Sequence, residues 1–473
     1  MLNDRVLVRA ASRREANRIV LRGGVATLML SISESGCSQK LTSGDVDVTT
    51  YRRRGERDDS QAFERALATG RPVFVPRGEY LVSMVKLPAH AKIHGAGSDS
   101  IIRSADPDGY AVFYADSGGP SASVADISIR NLVLAGDVAS HGFREHSHLL
   151  VLQGVRAVII ENVGFRGFRG DGLMIEGGNA MAANPVNEPR HNREISVRNC
   201  WFDGINRDNR NAISIVDGQN IKIENCKFHN VTRPDMPGAI DIEPNPYPFY
   251  HIANITVSDC EFSGIGGNIG AISVFVPSEV SATATGLRFV RNRMANYVGT
   301  GSDYSIRCAN ATKDVRNDIR ISGHIGQDGQ RPYAVLAGNG VTVDGDCRFS
   351  TYRSASLIGY ANQLELVRDV SIAGRYEKIG FGGRPNQFGL AVFHADGLTV
   401  AGDWIDCGDG SADATGVIFL QGASRRVNLM QLVVRAPNRK TVRAIWVASN
   451  HRFDRASSQT SGVTGGLPVH IES

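Results

Sequence analysis

The sequence predicts an all-β protein, a single-stranded parallel β-helix built as a solenoid of short strands. Three observations carry this. A unit of the form apolar-x-apolar-x-Asn-Cys-x-Phe recurs as Val158-Ile-Ile-Glu-Asn-Val-Gly-Phe165, Ile195-Ser-Val-Arg-Asn-Cys-Trp-Phe202, Ile221-Lys-Ile-Glu-Asn-Cys-Lys-Phe228 and Ile255-Thr-Val-Ser-Asp-Cys-Glu-Phe262. Apolar and polar residues alternate in each copy, which is the period of a strand. The composition agrees: 52 Gly and only 7% aromatic residues suit many short strands joined by turns better than long helices.

Each copy reads as one strand followed by an Asn-containing bend. Asp126-Ile-Ser-Ile-Arg-Asn131-Leu is an earlier copy and Leu287-Arg-Phe-Val-Arg-Asn-Arg-Met294 a degraded later one. The Asn-position residues lie 31, 37, 26, 34 and 32 residues apart. A further strand follows each bend: Gly172-Leu-Met-Ile175, Ala212-Ile-Ser-Ile215, Ala239-Ile-Asp-Ile242 and Ala271-Ile-Ser-Val274. Two or three short strands cannot bury an apolar face alone, but stacked copies can. Recurring small and aliphatic residues then form inward ladders at about 4.8 Å per rung. The uneven intervals place insertions in loops on one face, where function usually sits. A propeller would need a four-stranded period of about 40–45 residues, and the Leu and Asn comb of a leucine-rich repeat is absent.

The remaining elements follow in chain order. Residues 1–40 read as an export signal: Ser12-Arg13-Arg14, Arg18 and Arg22, then an apolar stretch from Gly23 to Ile32, then Ser35-Gly36-Cys37. The paired arginines point to the twin-arginine route and hence to the periplasm, outer surface or medium. Cys37 would suit a lipid anchor, although Glu34 stands where such sites carry an aliphatic residue; an ordinary N-terminal tail is the alternative. Residues 41–449 are assigned to the β-helix, with Val341-Thr-Val343, Leu398-Thr-Val400 and Val427-Asn-Leu429 continuing its pattern, and residues 450–473 to a tail. The seven cysteines include no Cys-x-x-Cys pair and read as buried, reduced small residues.

With 42% hydrophobic residues and 21% charged, the chain is neither disordered nor a disulfide-stapled miniature. A net charge of +4 predicts no general nucleic-acid affinity, and no apolar run of membrane-spanning length exists. Arginine outnumbers lysine 44 to 8, through a GC-rich genome or through selection for binding carboxylate or sulfate.

Asp58-Asp59-Ser-Gln-Ala-Phe63, a short helix to Ala68, and Pro72-Val-Phe-Val-Pro76-Arg-Gly78-Glu-Tyr80 resemble the opening of the pectate-lyase-like, rhamnogalacturonase/epimerase-type β-helix proteins. Ile93-His-Gly95-Ala-Gly97, Gly170-Asp171-Gly172 and Gly238-Ala-Ile-Asp241-Ile-Glu243-Pro-Asn245 are similar to segments of bacterial and phage members, so the likeness covers roughly residues 45–300. The resemblance implies a right-handed helix with a short N-terminal capping helix. It does not choose a reaction, because the family holds hydrolases, lyases, epimerases and tailspikes. The Gly-His-Gly and Arg-x-Lys set of polygalacturonases and the Asp-Pro-His motif of alginate epimerases are both missing, so no catalytic residue carries over.

Aligning the later strands puts Leu173, Ile213, Ile240 and Ile272 in one inward slot and Ile175, Ile215, Ile242 and Val274 in the next. The outward slots then hold Met174, Ser214, Asp241 and Ser273, followed by Glu176, Val216, Glu243 and Phe275. Asp241 and Glu243 leave one face of a strand, Glu176 lies two rungs away, and Asp171 starts the same strand as Glu176. Paired carboxyls flanking a glycosidic bond are the machinery of glycoside hydrolysis, and clustering raises the pKa of one of them as a general acid requires. These four are the candidate catalytic residues; a solvated polar face or an ion site, calcium above all, is the bland alternative. No cofactor or metal motif is present.

The loop with Asp208 and Arg210, the loop with Tyr247 and His251, and His146 of the His141/His146/His148 cluster are candidate substrate contacts. Arginine would pair a uronate carboxylate and an aromatic would stack on a sugar, against turn chemistry and local packing as the plain readings. The expected partner is a polysaccharide. It would be cleaved by hydrolysis or by β-elimination at a uronate, with Arg210, His146 or Tyr247 serving the second. The alternative is a non-catalytic glycan-binding or tailspike-like structural helix.

Overall fold

The computed structural model describes residues 41–447 apart from 118–123, 179–189, 310–314, 361–364, 383–387, 409–415 and 436–442, together with strands at 452–453, 463–464 and 469–471. The expected export signal and Cys37 lie outside the described residues. A helix, Ser60–Leu67, buries Ala62, Phe63, Ala66 and Leu67 against the first turns of the solenoid. Everything beyond it is a parallel β-helix of about 12 turns.

A typical coil contains three strands. Ile195 to Arg198 is the end of a first strand, Trp201–Asp203 the second, and Ile213–Ile215 the third. The first strands pair in parallel, with Val158, Ile195, Ile221 and Ile255 in one row. The bend between first and second strands is left-handed at Asn131, Asn162, Asn199, Asn225, Asp259 and Arg291, with φ between 51° and 55°. Asparagine tolerates that region, which explains its recurrence. Its side chains also ladder: Asn162 Nδ2 donates to Asn131 Oδ1 at 3.0 Å and Asn225 Nδ2 to Asn199 Oδ1 at 2.7 Å. In the degraded copy Arg291 replaces Asn and reaches the Asp259 carboxylate with two bonds of 2.7 Å.

The conserved spacing of the repeat becomes three interior rows. Cys200, Cys226 and Cys260 are buried and free, their Sγ atoms directed at strand carbonyls. Phe165, Phe202, Phe228 and Phe262 stack face to face with centroids 4.5, 5.0 and 4.6 Å apart. The third strands carry Leu173, Ile213, Ile240 and Ile272 in one register, as the sequence alignment of these strands requires.

After residue 300 the coils continue with different interiors. Val341 pairs with Ile319, Leu398 with Val370, and Val427 with Leu398. Phe349, Tyr376 and Trp404 lie in the register of the earlier phenylalanines, while Tyr304 and Tyr333 continue the third-strand row of Ile272. Asp303 is buried here: its Oδ2 lies 3.1 Å from His324 Nε2 and accepts from the Tyr352 hydroxyl. In the stretch read as a tail, Val463–Thr464 pairs with Leu432 and Val433, and Val469–Ile471 with Ile445 to Val447, so the ladder runs further than the sequence pattern indicates. No helix among the described residues is long and apolar enough to cross a membrane.

Candidate active-site cleft

The outward face of the third strands forms the floor of a cleft of about 540 Å³. Its walls come from the loops before and after those strands: Tyr110, Glu145, His146 and His148 on one side, Pro244 to Pro246 and Pro277 on the other. Met174, Glu176, Arg210, Val216, Glu243 and Phe275 complete it. Strand Ile240–Ile242 is held close to its successor: a Cβ on Gly238 would stand 1.5 Å from the Gly270 carbonyl oxygen, so only glycine fits there.

Glu176 and Glu243 face the cleft from rungs separated by one coil, which contributes Val216. The register shows no skipped rung, since Ile175 pairs with Ile215 and Ile215 with Ile242. Their Cα atoms are therefore roughly 10 Å apart, at about 4.8 Å per rung. Glu176 Oε2 accepts from the Tyr110 hydroxyl and from Gln153 Nε2, both at 3.1 Å. Burial and the charge of Glu176 raise the Tyr110 pKa, so the phenol stays a donor. Glu243 is half-buried, and its carboxylate makes no hydrogen bond or ion pair among the described residues.

Asp241 and Asp171 lie beneath this floor, both at most 1% exposed. Asp171 Oδ2 is 3.0 Å from Arg210 Nη1, and Asp171 Oδ1 accepts from the Asn211 backbone N–H at 3.1 Å. Burial alone would raise the Asp171 pKa, but the Arg210 charge and these bonds outweigh it and hold the carboxyl below its ordinary value. His148 is oriented by the same residue, its Nδ1 accepting from the Asp171 N–H at 3.0 Å.

Asp241 behaves oppositely. Burial, then the neighbouring charge of Glu243, push its pKa up to about 7, against a hydrogen bond of 2.5 Å from Ser273 Oγ. Asn211 agrees with a protonated carboxyl. In the amide orientation that satisfies its surroundings it donates to the Arg210 and Gly238 carbonyls at 3.0 and 2.9 Å. Its oxygen then stands 3.3 Å from Asp241 Oδ2, a contact that a proton on Asp241 satisfies.

The residues singled out from sequence thus separate. Glu176, Glu243, Arg210 and His146 line the cleft, with Asp241 and Asp171 below. Asp208 is turned away, its carboxylate 3.7 Å from Arg233. Tyr247 is exposed and stacks on Phe249 at 5.3 Å, outside the lining. His251 sits on the far side of the third strand, stacked 4.1 Å from His191 and bonded to Gln219 at 2.7 Å. Sequence reasoning missed Tyr110, Glu145 and Gln153. Gln153 follows Leu150 and Leu152, which pair with Leu173 and Ile175, so extending that alignment by one strand would have found it. Tyr110 lies where no repeat signature exists.

The stacked parallel coils with a cleft on one sheet fit a pectate-lyase-like parallel β-helix. Residues 48–266 match the model of the family described as rhamnogalacturonase A/epimerase, pectate lyase-like. The chain is similar to the pre-neck appendage protein of Bacillus phage B103, 25% identical over 355 residues covering 70% of this chain and 40% of that protein. It also resembles the crystal structure of pre-mature bacteriophage phi29 gene product 12, with a TM-score of 0.56 at 16% identity over 90% of this chain and 56% of that one. A looser likeness, with a TM-score of 0.40 at 15% identity, reaches the catalytic unit of a GH87 α-1,3-glucanase from Streptomyces thermodiastaticus over 92% of this chain and 71% of that one. The chain spans less than half the length of the curated relatives it matches.

Proposed function

We propose that the protein binds a glycan in this cleft and hydrolyses a glycosidic bond there. One observation carries the reading: Glu176 and Glu243 face the same cleft from either side of Val216, with a protonated Asp241 directly behind Glu243. Glu243 meets the leaving oxygen and passes to it the proton that Asp241 holds beside it, Asp241 ionising as it does so. Glu176, anchored by Tyr110 and Gln153, is the base that deprotonates the attacking water. Arg210 positions Asp171 and the floor and does not act on substrate.

The test is incubation with a panel of neutral and acidic polysaccharides, following new reducing ends and the ultraviolet absorbance of an unsaturated product. Reducing ends without absorbance are expected. Glu176→Gln and Glu243→Gln should each lower the rate about 10²–10⁴-fold, the usual contribution of a general acid or base. Absorbance would mean elimination and would overturn the two roles.

A second reading is favoured by the similarity to phage pre-neck appendage proteins: the cleft binds glycan without cleaving it, as part of a structural β-helix. Saturable binding of an oligosaccharide with no reducing ends over long incubation would decide for it.

A further inference from the structure

We infer that the cleft takes an uncharged glycan, one without uronate, phosphate or sulfate groups on the sugars it holds. This rests on the carbohydrate reading above and deepens it. The argument is a count of charges and their commitments. Three carboxylates, Glu145, Glu176 and Glu243, line the cleft, and Arg210 is the one arginine or lysine of its lining. The charge of Arg210 is already balanced: Nη1 lies 3.0 Å from Asp171, and Nε, which has no hydrogen-bond partner among the described residues, lies 3.7 Å from Glu145.

The guanidinium groups nearby are engaged too. Arg307 follows Phe275 in the outward row and grips Glu365 with two bonds of 2.8 and 3.0 Å. Arg144 and Arg169 lie 2.7 and 3.7 Å from Asp108. An anionic sugar would therefore meet three carboxylates, against one guanidinium whose charge Asp171 and Glu145 already balance and the imidazoles of His146 and His148. Recognition of carboxylate, sulfate or phosphate normally uses a guanidinium whose charge is not already balanced by the protein.

The rest of the lining suits a neutral sugar. Met174, Val216, Phe275 and the prolines present apolar surface for C–H faces, and the carboxylates accept from hydroxyls. The same balance weighs against β-elimination, which needs a cation to neutralise the uronate before its α-proton leaves. Hydrolysis balances with what is present. The proton of Asp241 passes to Glu243 and from it to the leaving oxygen as the anomeric C–O bond breaks, leaving Asp241 ionised. Glu176 takes the proton of the water whose oxygen bonds the anomeric carbon, and no further reactant is needed.

The test is titration calorimetry of the whole chain with neutral and acidic oligosaccharides. The set includes a matched pair, fully methyl-esterified and de-esterified oligogalacturonides, at low and high salt. Glu145→Lys serves as the second protein; that side chain is 51% exposed and has no part in the reaction. The ligands bound by the wild type are expected to be uncharged, by at least about 10-fold over any acidic counterpart. The gap should narrow in high salt and in Glu145→Lys. Equal or tighter binding of acidic members by the wild type overturns the inference and leaves the carbohydrate reading standing. Binding of no member by either protein overturns both.

Discussion

Asp241 keeps its proton because it is buried and because Glu243 beside it is charged, and this has a consequence for stability. Its ordinary pKa of 3.8 applies in the unfolded chain and about 7 in the folded one. The folded state therefore binds more protons between those values, and stability from this group is complete below the lower value and lost as pH rises to the upper. Asp241→Asn stays neutral throughout. Denaturant melts of the two proteins should coincide in this respect near pH 4, and the variant should then gain on the wild type towards pH 7, by up to about 1.4 kcal/mol per pH unit. A gap that is constant with pH would mean Asp241 is ionised. Asp171 is the converse case. Asp171→Asn strips Arg210 of its principal partner and is expected to cost about 3 kcal/mol, as breaking a buried pair does, measured in the same melts. The sequence alignment of strands singled out both aspartates, Asp241 from its outward slot and Asp171 because it starts the strand of Glu176. It did not show that one is neutral and the other ionised. That depends on Arg210, Ser273 and Asn211, which reach the two carboxyls from separate coils.

The rows that tie one coil to the next are the most legible elements in the sequence. They repeat the same residue in the same slot, so Phe165, Phe202, Phe228 and Phe262 announce themselves. Phe228 is stacked on both faces, and Phe228→Ala is expected to cost about 3–5 kcal/mol in a chemical melt. Asn225 should separate two contributions. Asn225→Gly keeps the left-handed bend, at φ 52°, and loses the side-chain bond to Asn199, whereas Asn225→Ala also strains the backbone. Alanine is expected to be the worse by about 1–2 kcal/mol. Legibility fades where the slot stays and the residue changes. Arg291 occupies the asparagine position through its ion pair with Asp259, and the phenylalanine slot passes through Met294 and Gly326 before Phe349, Tyr376 and Trp404. The backbone there follows the same plan, but nothing in the residue pattern recurs to reveal it.

At the scale of the whole molecule, the cleft draws on residues from Tyr110 to Pro277 because consecutive coils bring distant segments to one face. This is why its floor was legible and its walls were not. The floor belongs to the repeating strands, while Tyr110, Glu145 and the proline loop lie in connections whose length and composition differ from coil to coil. His251 and Tyr247 show the same limit, since their nearness to Glu243 in sequence does not bring them into the cleft lining.

The parallel pairing also has a mechanical meaning. Rung-to-rung hydrogen bonds point along the solenoid axis, so tension between the two ends would load successive coils in series, and the junction with the least regular pairing should part first. Strand Ser302–Cys308 slips register against Tyr333–Asn339 between Ile306 and Arg307, and Ala395–Ile405 slips against Ala423–Arg435 between Val400 and Gly402. Single-molecule pulling is expected to show its first rupture at one of these two junctions, both beyond the coils that line the cleft. The half that carries the cleft would then remain assembled under a load that has already opened the other.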